Sequence, residues 1–275
     1  MHNSKILVGN SGDKVFLQGN KVIKEAGHYP EKFKQQMDFL MCCDHPNFID
    51  IKPLSETSYE MKRYSTWYDK ILTQPLNTSL GQLENLISII GKFENVGSDV
   101  KTQDYFDKLQ LRTGYTYEGK FDATSSWGFV HGDLTVSNIL HDKDFLFIDP
   151  RGTEEQDYYD YGKLMQSFVM EYESHIYNNH NKKYSSFCKG AEKIMYEWCD
   201  EYQLKFFLAV HLLGAVPFFE LNERYELAGS FLKKGHELFD ELEIKKSNKS
   251  KIEYKGLFKP KNKTYDDCII LKILS

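Results

Sequence analysis

The polar stretch WGFVHGDLTVSNILHDKDFLFIDPRG, residues 127–152, contains two apolar runs. Asp133 follows the run GFV, Asn138 comes five residues later, and Asp149 ends the run FLFI. These runs predict two short buried strands whose connecting loop presents the polar side chains at one end. Carboxylate and amide oxygens suit Mg²⁺, which takes few protein ligands and completes its shell with phosphates and water. The spacing therefore predicts Asn138 and Asp149 as metal ligands and leaves Asp133 to accept a proton from an attacking hydroxyl.

Kinases divide phosphoryl transfer in the same way, among a catalytic Asp, an Asn five residues later and a metal-binding Asp after a further strand. The segments HGDLTVSN and FIDPRG resemble the aminoglycoside phosphotransferase/choline kinase family, which carries H-G-D-x-x-x-x-N and then an apolar strand ending in I-D. The resemblance implies an α+β, bilobal protein-kinase-like fold with a small β-rich N-lobe and a large, mainly helical C-lobe. It also implies phosphorylation of a small-molecule alcohol, with ATP and Mg²⁺ as cofactors.

The identity of the acceptor depends on weaker features. IDPRG, together with LLGAVPFFELNERYELAGSFLKKG, resembles a branch of this family found with surface-polysaccharide biosynthesis genes. That resemblance implies a sugar, a polyol or a similar glycan precursor. The acidic residues Asp157, Glu220 and Glu223, together with the many aromatic residues, leave choline, ethanolamine or an aminoglycoside as alternative acceptors.

Three further residues of the segment are candidates for orienting the site or binding the substrate. The resemblance implies that His131 is an orienting, hydrogen-bonded residue rather than a general base. It also implies that Asp160 is a helix N-cap that braces the catalytic loop. Arg151 either holds a phosphate or carboxylate of the substrate bidentately or pairs with Glu154 or Glu155. The sequence leaves both alternatives for Arg151 open.

The candidate nucleotide site lies near the N-terminus. The turn GNSGDKVF offers backbone N–H groups, and Ser11 adds a hydroxyl, to phosphate oxygens. It looks like the phosphate-covering loop of the family, with Gly9, Ser11 and Gly12 as binding residues. In NKVIKEA, Lys24 resembles the family lysine that contacts the α- and β-phosphates, whereas Lys21 points to the other face of the strand.

The partner of Lys24 departs from the family pattern. The family lysine pairs with a glutamate on the following helix, but EKFKQQMDFL has Gln35 and Gln36 near that position and Glu31 earlier. The sequence therefore predicts either Glu31 as the partner of Lys24 or a neutral contact from Gln36.

The first sixty or so residues predict a small mixed lobe. Residues 5–25 predict short strands, with a hairpin turn at Gly19-Asn20. PEKFKQQMDFLMCC predicts a helix, and its apolar residues at helical spacing are Phe33, Met37, Leu40 and Met41. NFIDIKPLSETSYEMKRY predicts two more strands.

The remaining chain is predicted to be mainly helical. SYEMKRY resembles the hinge between lobes, which would place adenine on backbone groups near Glu60, Met61 and Lys62. We expect three parts: a nucleotide-binding lobe over residues 1–62, a catalytic and substrate lobe over 63–245, and a polar tail over 246–275.

Composition narrows the classes of function. A formal net charge of −5 argues against a nucleic-acid partner. The chain lacks a long uninterrupted apolar run and an N-terminal basic region with an apolar core, so we expect neither a membrane span nor a signal peptide. Five scattered cysteines predict neither a disulfide framework nor a zinc site. These features predict a protein of the reducing cytoplasm.

Two other functions are compatible with parts of the sequence. The glutamines on the helix after Lys24 would suit a nucleotide-binding pseudokinase that acts as a scaffold. The presence of Asp133, Asn138 and Asp149 together argues against it. A protein kinase would carry D-F-G and A-P-E elements after Asn138, and neither occurs.

Overall fold

The computed structural model describes four stretches of the chain: residues 5–8, 12–93, 100–121 and 127–247. Gly9, Ser11 and almost all of the predicted tail lie outside the described residues. The chain divides into two compact units: Met1–Ser98 with Ser126–Trp198, and Asp99–Ser125 with Cys199–Ser275. All of the candidate site residues belong to the first unit. The predicted lobe boundaries at residues 62 and 245 stay predictions.

The N-terminal sheet has five antiparallel strands: β1 Lys5–Val8, β2 Lys14–Gln18, β3 Lys21–Glu25, β4 Ile51–Ser55 and β5 Ser58–Lys62. Their order across the sheet is β1-β2-β3-β5-β4. The turn Gly19-Asn20 joins β2 to β3, where Gln18 pairs with Lys21, and Gly19 has a φ of 60°. Glycine adopts the positive φ that a two-residue hairpin requires, and the predicted hairpin is confirmed.

Helix α1, Pro30–Cys42, covers the sheet and confirms the predicted helix. Phe33 and Met37 pack in one cluster with the sheet, and Leu40 is also buried. These positions recur at intervals of four and three residues, so they share one helix face. Met41 was predicted to join that face and is instead 56% exposed. One residue beyond Leu40 the helix has turned by about 100° away from the packed side.

The rest of the chain is mainly helical, as expected. Its helices are α2 Trp67–Thr73, α3 Leu76–Ile90, α4 Thr102–Thr113, α5 Tyr159–Val169, α6 Tyr172–Ile176, α7 Lys182–Trp198, α8 Glu201–Leu221 and α9 Tyr225–Glu241. Its strands are short: β6 Tyr117–Glu118, β7 Trp127–Val130, β8 Ile139–His141, β9 Phe145–Phe147, β10 Thr153–Gln156 and β11 Lys245–Lys246. The predicted α+β order, a small antiparallel sheet followed by a larger helical region, is confirmed.

The segment that carries the polar cluster contains a strand pair that we did not predict. The expected second strand, FLFI, corresponds to β9 and pairs with β8. Strand β7 pairs instead with β10, with Val130 opposite Thr153. Because β10 returns beside β7, the residues at these strand ends lie close together. The backbone N–H of Arg151 donates to the carbonyl of His131 at 2.6 Å.

The stretch YGKLMQSFVMEYESHIY, which predicts one helix, forms α5 and α6 with a break between them. Glu171 lies at this break with a φ of 45°. A non-glycine residue in the left-handed region cannot continue an α-helix. The chain therefore turns after Val169, and the Tyr172 ring comes within 5.9 Å of the Lys163 Nζ on α5.

Helix α8 is the one described helix that is long and apolar enough to cross a membrane, although we expected no such span. About three quarters of its apolar window (72%) is buried inside the structure. Asp200 caps its N-terminus by accepting a hydrogen bond from the backbone N–H of Gln203. Other parts of the protein therefore cover most of the apolar surface of this helix.

Candidate active site

A buried carboxylate on α5 binds the loop HGD, residues 131–133. Asp160 accepts hydrogen bonds from the backbone N–H groups of His131 at 2.7 Å and Gly132 at 2.9 Å. Burial raises the pKa of Asp160 to about 7, although these two hydrogen bonds lower it. The predicted bracing contact is present, but the predicted capping role is wrong. Tyr158 is the N-cap of α5, so Asp160 lies inside the first turn and points out of the helix toward the loop.

His131 connects the loop to the strand that precedes Asp149. Its Nδ1 accepts a hydrogen bond from the backbone N–H of Asp133 at 3.2 Å, so its Nε2 carries the proton and donates to the Ile148 carbonyl at 2.7 Å. The ring is fully buried and stacks on Phe48. Burial lowers the pKa of His131 to about 4. A neutral ring with both nitrogens engaged is suited to orienting the loop rather than to proton transfer.

Asp133 is the centre of a cluster of three charged side chains. Its Oδ1 lies 3.0 Å from Lys163 Nζ and 3.6 Å from Arg151 Nη2. Burial would raise the pKa of Asp133, but the two cations outweigh burial and hold it below the usual range. We name Asp133, Arg151 and Lys163 the aspartate-centred cluster. Lys163 was not among the predicted site residues. The structure places the Asp133 carboxylate beside Arg151.

Asn138 closes the loop that carries Asp133. Its side-chain NH₂ donates to the backbone carbonyl of Asp133 at 2.8 Å. This hydrogen bond leaves the amide oxygen of Asn138 available as a ligand for a hard cation.

A buried glutamate supports the same loop and was missed by the sequence analysis. Glu173 on α6 accepts hydrogen bonds from the Ser137 backbone N–H at 3.2 Å, the Ser167 hydroxyl at 3.0 Å and the Tyr184 hydroxyl at 2.5 Å. Burial raises the pKa of Glu173, whereas the Tyr184 and Ser167 hydroxyls lower it. A buried carboxylate with three donors is a fixed anchor, and it holds the turn that contains Asn138.

Lys24 is the centre of a second charged cluster. Its Nζ lies 2.6 Å from Asp149 Oδ1 and 3.3 Å from Asp13 Oδ2. We name Asp13, Lys24 and Asp149 the lysine-centred cluster. Burial would lower the pKa of Lys24, but Asp149, Tyr59 and Asp13 raise it above its ordinary value.

The sequence analysis expected a different partner for Lys24. Glu31 or Gln36 on α1 was predicted, and the structure pairs Lys24 with Asp13 and Asp149 instead. The side chain of Asp13 comes from the turn before β2, and that of Asp149 from the segment after β9. Both partners depend on long-range contacts, which the spacing along one helix does not reveal.

A close approach of two glycines positions Asp13. Its Oδ1 accepts a hydrogen bond from the Gly27 backbone N–H at 2.8 Å. Gly12 has a φ of 79°, and a Cβ at this position would lie 2.4 Å from the His28 ring. Glycine is therefore required at residue 12 for conformation and for space. The phosphate-binding role predicted for Gly12 stays a prediction, as do those for Gly9 and Ser11, outside the described residues.

The predicted adenine contacts lie at the end of the sheet. Glu60 and Met61 lie inside β5, where they pair with both β3 and β4, and Lys62 is the last residue of the strand. The link to α2 therefore begins after Lys62. The Glu60 side chain binds Lys21 at 2.7 Å on the exposed face, which confirms that Lys21 and Lys24 point to opposite faces.

The donor set of the site suits magnesium, although the described residues contain no group of three His, Cys, Asp or Glu side chains that could hold a metal alone. The amide oxygen of Asn138, which the hydrogen bond to Asp133 does not use, and the carboxylate of Asp149 are hard oxygen donors. Mg²⁺ commonly takes one or two protein ligands and completes its shell with substrate phosphates and water. The residues present therefore fit such an ion.

Comparison with known proteins gave matches in structure alone. No family model and no curated protein matches the sequence. An aminoglycoside phosphotransferase, APH(4)-Ia, in complex with AMP-PNP and hygromycin B has a TM-score of 0.56 at 11% identity, over 86% of this chain and 93% of that chain. Choline kinase LicA from Streptococcus pneumoniae has a TM-score of 0.52 at 11% identity, over 87% of this chain and 94% of that chain.

A third solved structure is a glucosamine kinase in complex with glucosamine, ADP and inorganic phosphate. Its TM-score is 0.50 at 9% identity, over 88% of this chain and 76% of that chain. At such identities the likeness concerns the course of the chain rather than individual residues. The protein therefore has the fold of the aminoglycoside phosphotransferase and choline kinase structures.

Proposed function

We propose that this protein is an ATP- and Mg²⁺-dependent kinase that phosphorylates a hydroxyl of a small molecule. The observation that carries the proposal is the junction between the sheet and the loop segment. Lys24 of β3 binds Asp149 at 2.6 Å, and Asn138 binds the backbone of Asp133 at 2.8 Å. The side chains predicted for phosphate binding, metal binding and catalysis thereby come together in one compact unit.

The proposed reaction moves the γ-phosphoryl group of ATP to the acceptor oxygen. Asp133 orients the acceptor hydroxyl and takes its proton as the new O–P bond forms. The O–P bond to the β-phosphate breaks, and ADP leaves with the electron pair. Mg²⁺ held by Asn138 and Asp149 would supply charge neutralisation on the phosphates. Since the pKa of Asp133 is held low, Asp133 contributes more by orientation than as a strong base.

Arg151 and Lys163 favour a neutral or anionic acceptor. Choline and ethanolamine carry a cation two carbons from the hydroxyl, so a hydroxyl on Asp133 would bring that cation close to these residues. Two like charges 4 Å apart repel by about 4 kcal/mol at an effective dielectric constant near 20. We therefore propose a sugar, polyol or similar glycan precursor, with choline, ethanolamine and aminoglycosides as the alternatives. A carboxylate or phosphate on that acceptor would suit Arg151.

A nucleotide-binding scaffold without catalysis is the second candidate. The glutamines on α1 favour it, because they give Lys24 no acidic partner at the expected position on that helix. Asp13 and Asp149 supply that partner, so this argument for a scaffold loses its basis. We place the activity in the cytoplasm, where ATP is available and where the described cysteines, Cys42, Cys43, Cys188 and Cys199, would remain outside disulfides as they are here.

The test is nucleotide consumption with Mg²⁺ against matched acceptors. Glucose, glucuronate and glucosamine differ chiefly in charge, and glycerol, choline, ethanolamine and an aminoglycoside extend the panel. The proposal expects glucose, glucuronate or glycerol to stimulate turnover, and Asp133→Asn to abolish the stimulation. Stimulation by choline alone would overturn the acceptor class. Mg²⁺-independent ATP binding without turnover on any acceptor would favour the scaffold.

A further inference from the structure

We propose that Lys163 is a phosphate-binding residue whose ammonium contacts the transferred phosphoryl group beside Asp133. This inference rests on the proposed kinase function and adds to it a residue that the sequence analysis did not find. It is carried by three observations: the distance from Lys163 to Asp133, the charge of the surrounding cluster, and the way α5 positions the side chain.

Lys163 lies close enough to Asp133 to contact a phosphoryl group that is transferred there. Its Nζ lies 3.0 Å from Asp133 Oδ1. An acceptor hydroxyl bound to Asp133 would lie about 3 Å from the carboxylate. The phosphorus that this hydroxyl attacks would lie about 3 to 3.5 Å further on. The ammonium can therefore reach a γ-phosphoryl oxygen with a small rotation of its own stem.

The Asp133 carboxylate would serve both partners. The closest contacts of both cations of the aspartate-centred cluster are with Oδ1. An acceptor hydroxyl bound to the same carboxylate would therefore lie beside Lys163.

The net charge of the aspartate-centred cluster favours phosphate binding. One carboxylate lies among two cations, so the cluster carries a net charge of plus one. Only 11% of the Lys163 side chain is exposed. A buried ammonium is stabilised by anions, and a γ-phosphate beside Asp133 would add one. Lys163 also allows a phosphate to approach Asp133 with less repulsion.

The fold presents Lys163 and Asp160 as a pair. They lie three residues apart on α5 and so share a helix face. Asp160 binds the backbone of His131 and Gly132, while Lys163 binds the next residue of the loop, Asp133. One helix face therefore contacts three successive loop residues.

The break after α5 places an aromatic ring beside the Lys163 ammonium. The Tyr172 ring lies 5.9 Å from Lys163 Nζ, at the start of α6. A cation above an aromatic face is attracted to it, which limits the positions that the side chain can take. Such restriction is what a preorganised charge needs, because little reorganisation is then required during the reaction.

The test uses the full chain with ADP, Mg²⁺ and aluminium fluoride, which together imitate the transferring phosphoryl group without any acceptor. Affinity is measured by calorimetry with and without fluoroaluminate. In Lys163→Met we expect the gain in affinity from fluoroaluminate to fall about 100-fold while affinity for Mg²⁺-ADP stays unchanged. Lys163→Arg should keep part of the gain. Lys193→Met, which removes an exposed lysine on α7, should keep all of it.

A double variant separates phosphate binding from a merely structural ion pair. If Lys163 touches the phosphoryl group, its replacement should cost as much in an Asp133→Asn background as in the wild type. If the cost vanishes there, Lys163 acts only through Asp133 and the inference is overturned. Lys163→Gln, which keeps a polar stem, replaces Lys163→Met if that variant does not fold.

Failure of the proposed function would look different. A wild-type protein that binds neither Mg²⁺-ATP nor Mg²⁺-ADP would overturn the kinase proposal, and this inference with it. A protein that binds both nucleotides but gains no Lys163-dependent affinity from fluoroaluminate would overturn this inference alone.

Discussion

The two charged clusters of the first unit have opposite compositions. In the lysine-centred cluster one buried ammonium lies between Asp13 and Asp149, which gives a net charge of minus one. In the aspartate-centred cluster one carboxylate lies between Arg151 and Lys163, which gives a net charge of plus one. The first arrangement suits a divalent cation, and the second suits a phosphate or another anion. The metal and the phosphoryl group would thus each bind beside groups of opposite charge.

His131 connects the two clusters. It receives a hydrogen bond from the backbone of Asp133 and donates one to Ile148, the residue before Asp149. A rigid buried ring between two peptide groups fixes their spacing. The two clusters of opposite net charge are therefore linked through their backbones by one neutral, buried ring.

Breaking the lysine-centred cluster at Asp149 should have the largest effect. Asp149→Asn removes the charged metal ligand and the closest partner of Lys24. We expect turnover to fall by more than about 1,000-fold, since the protein would lose both metal charge and lysine orientation. The measurement is Mg²⁺-dependent nucleotide consumption. Asp144→Asn, an exposed position on the same β8–β9 hairpin, is the control and should keep full activity.

Removing the lysine of that cluster should have the next largest effect. Lys24→Met should lower kcat/KM for ATP by about 100-fold, because one preorganised charge on the phosphates is lost. Lys21→Met on the same strand removes an exposed ammonium that binds Glu60, and its effect should be below about twofold. Equal losses in both variants would contradict the assignment of Lys24.

The role of Asp13, the second carboxylate beside Lys24, can be tested by replacing its carboxylate with an amide. Asp13→Asn keeps an oxygen for the Gly27 N–H but removes the charge beside Lys24. We expect kcat/KM for ATP to fall about 10-fold, the size of one lost charged contact. Glu31→Gln should have no effect, since Lys24 does not pair with Glu31 in the structure. A loss of activity in Glu31→Gln but not in Asp13→Asn would instead support the pairing of Lys24 with α1 that the sequence predicted.

Because His131, which links the two clusters, is buried in its neutral form, its protonation should make the stability of the protein depend on pH. Burial lowers the pKa of His131 to about 4, below its ordinary value of 6.5. Its contribution to stability is therefore fully present above pH 6.5 and is lost as the pH falls toward 4. The free energy of unfolding of the wild type relative to His131→Gln should fall by about 1 kcal/mol between pH 8 and pH 5.5.

The comparison with His131→Gln makes this pH difference specific to His131. Asp160, with a pKa raised to about 7 by burial, would change stability in the opposite direction, but it is common to both proteins and cancels. A constant difference between wild type and His131→Gln would mean that the histidine is not held neutral.

Much of the fold followed from local patterns. The hairpin at Gly19-Asn20, helix α1 and the later helices each depend on residues close together in sequence. Turn chemistry and helical periodicity therefore predicted them. The break between α5 and α6 escaped prediction, because Glu171 adopts a left-handed conformation that its side chain does not favour and that only the surrounding packing imposes.

The candidate site divides in the same way. Asp133, Asn138 and Asp149 lie within one short segment of alternating strands and loop, so their spacing alone suggested a shared role. The sequence did not identify Lys163 or Asp13 as site residues, because a lysine in a helix and an aspartate in a turn match no motif by themselves.

The sequence by itself determined the order of elements and the loop that carries Asp133 and Asn138, since both depend on neighbours along the chain. Only the tertiary structure decided which charges face those residues. Lys163 reaches Asp133 because α5 packs beneath the loop, and Asp13 reaches Lys24 because two glycines allow the turn before β2 to approach Gly27. Contacts between residues distant in sequence depend on register and close packing, which no local pattern records.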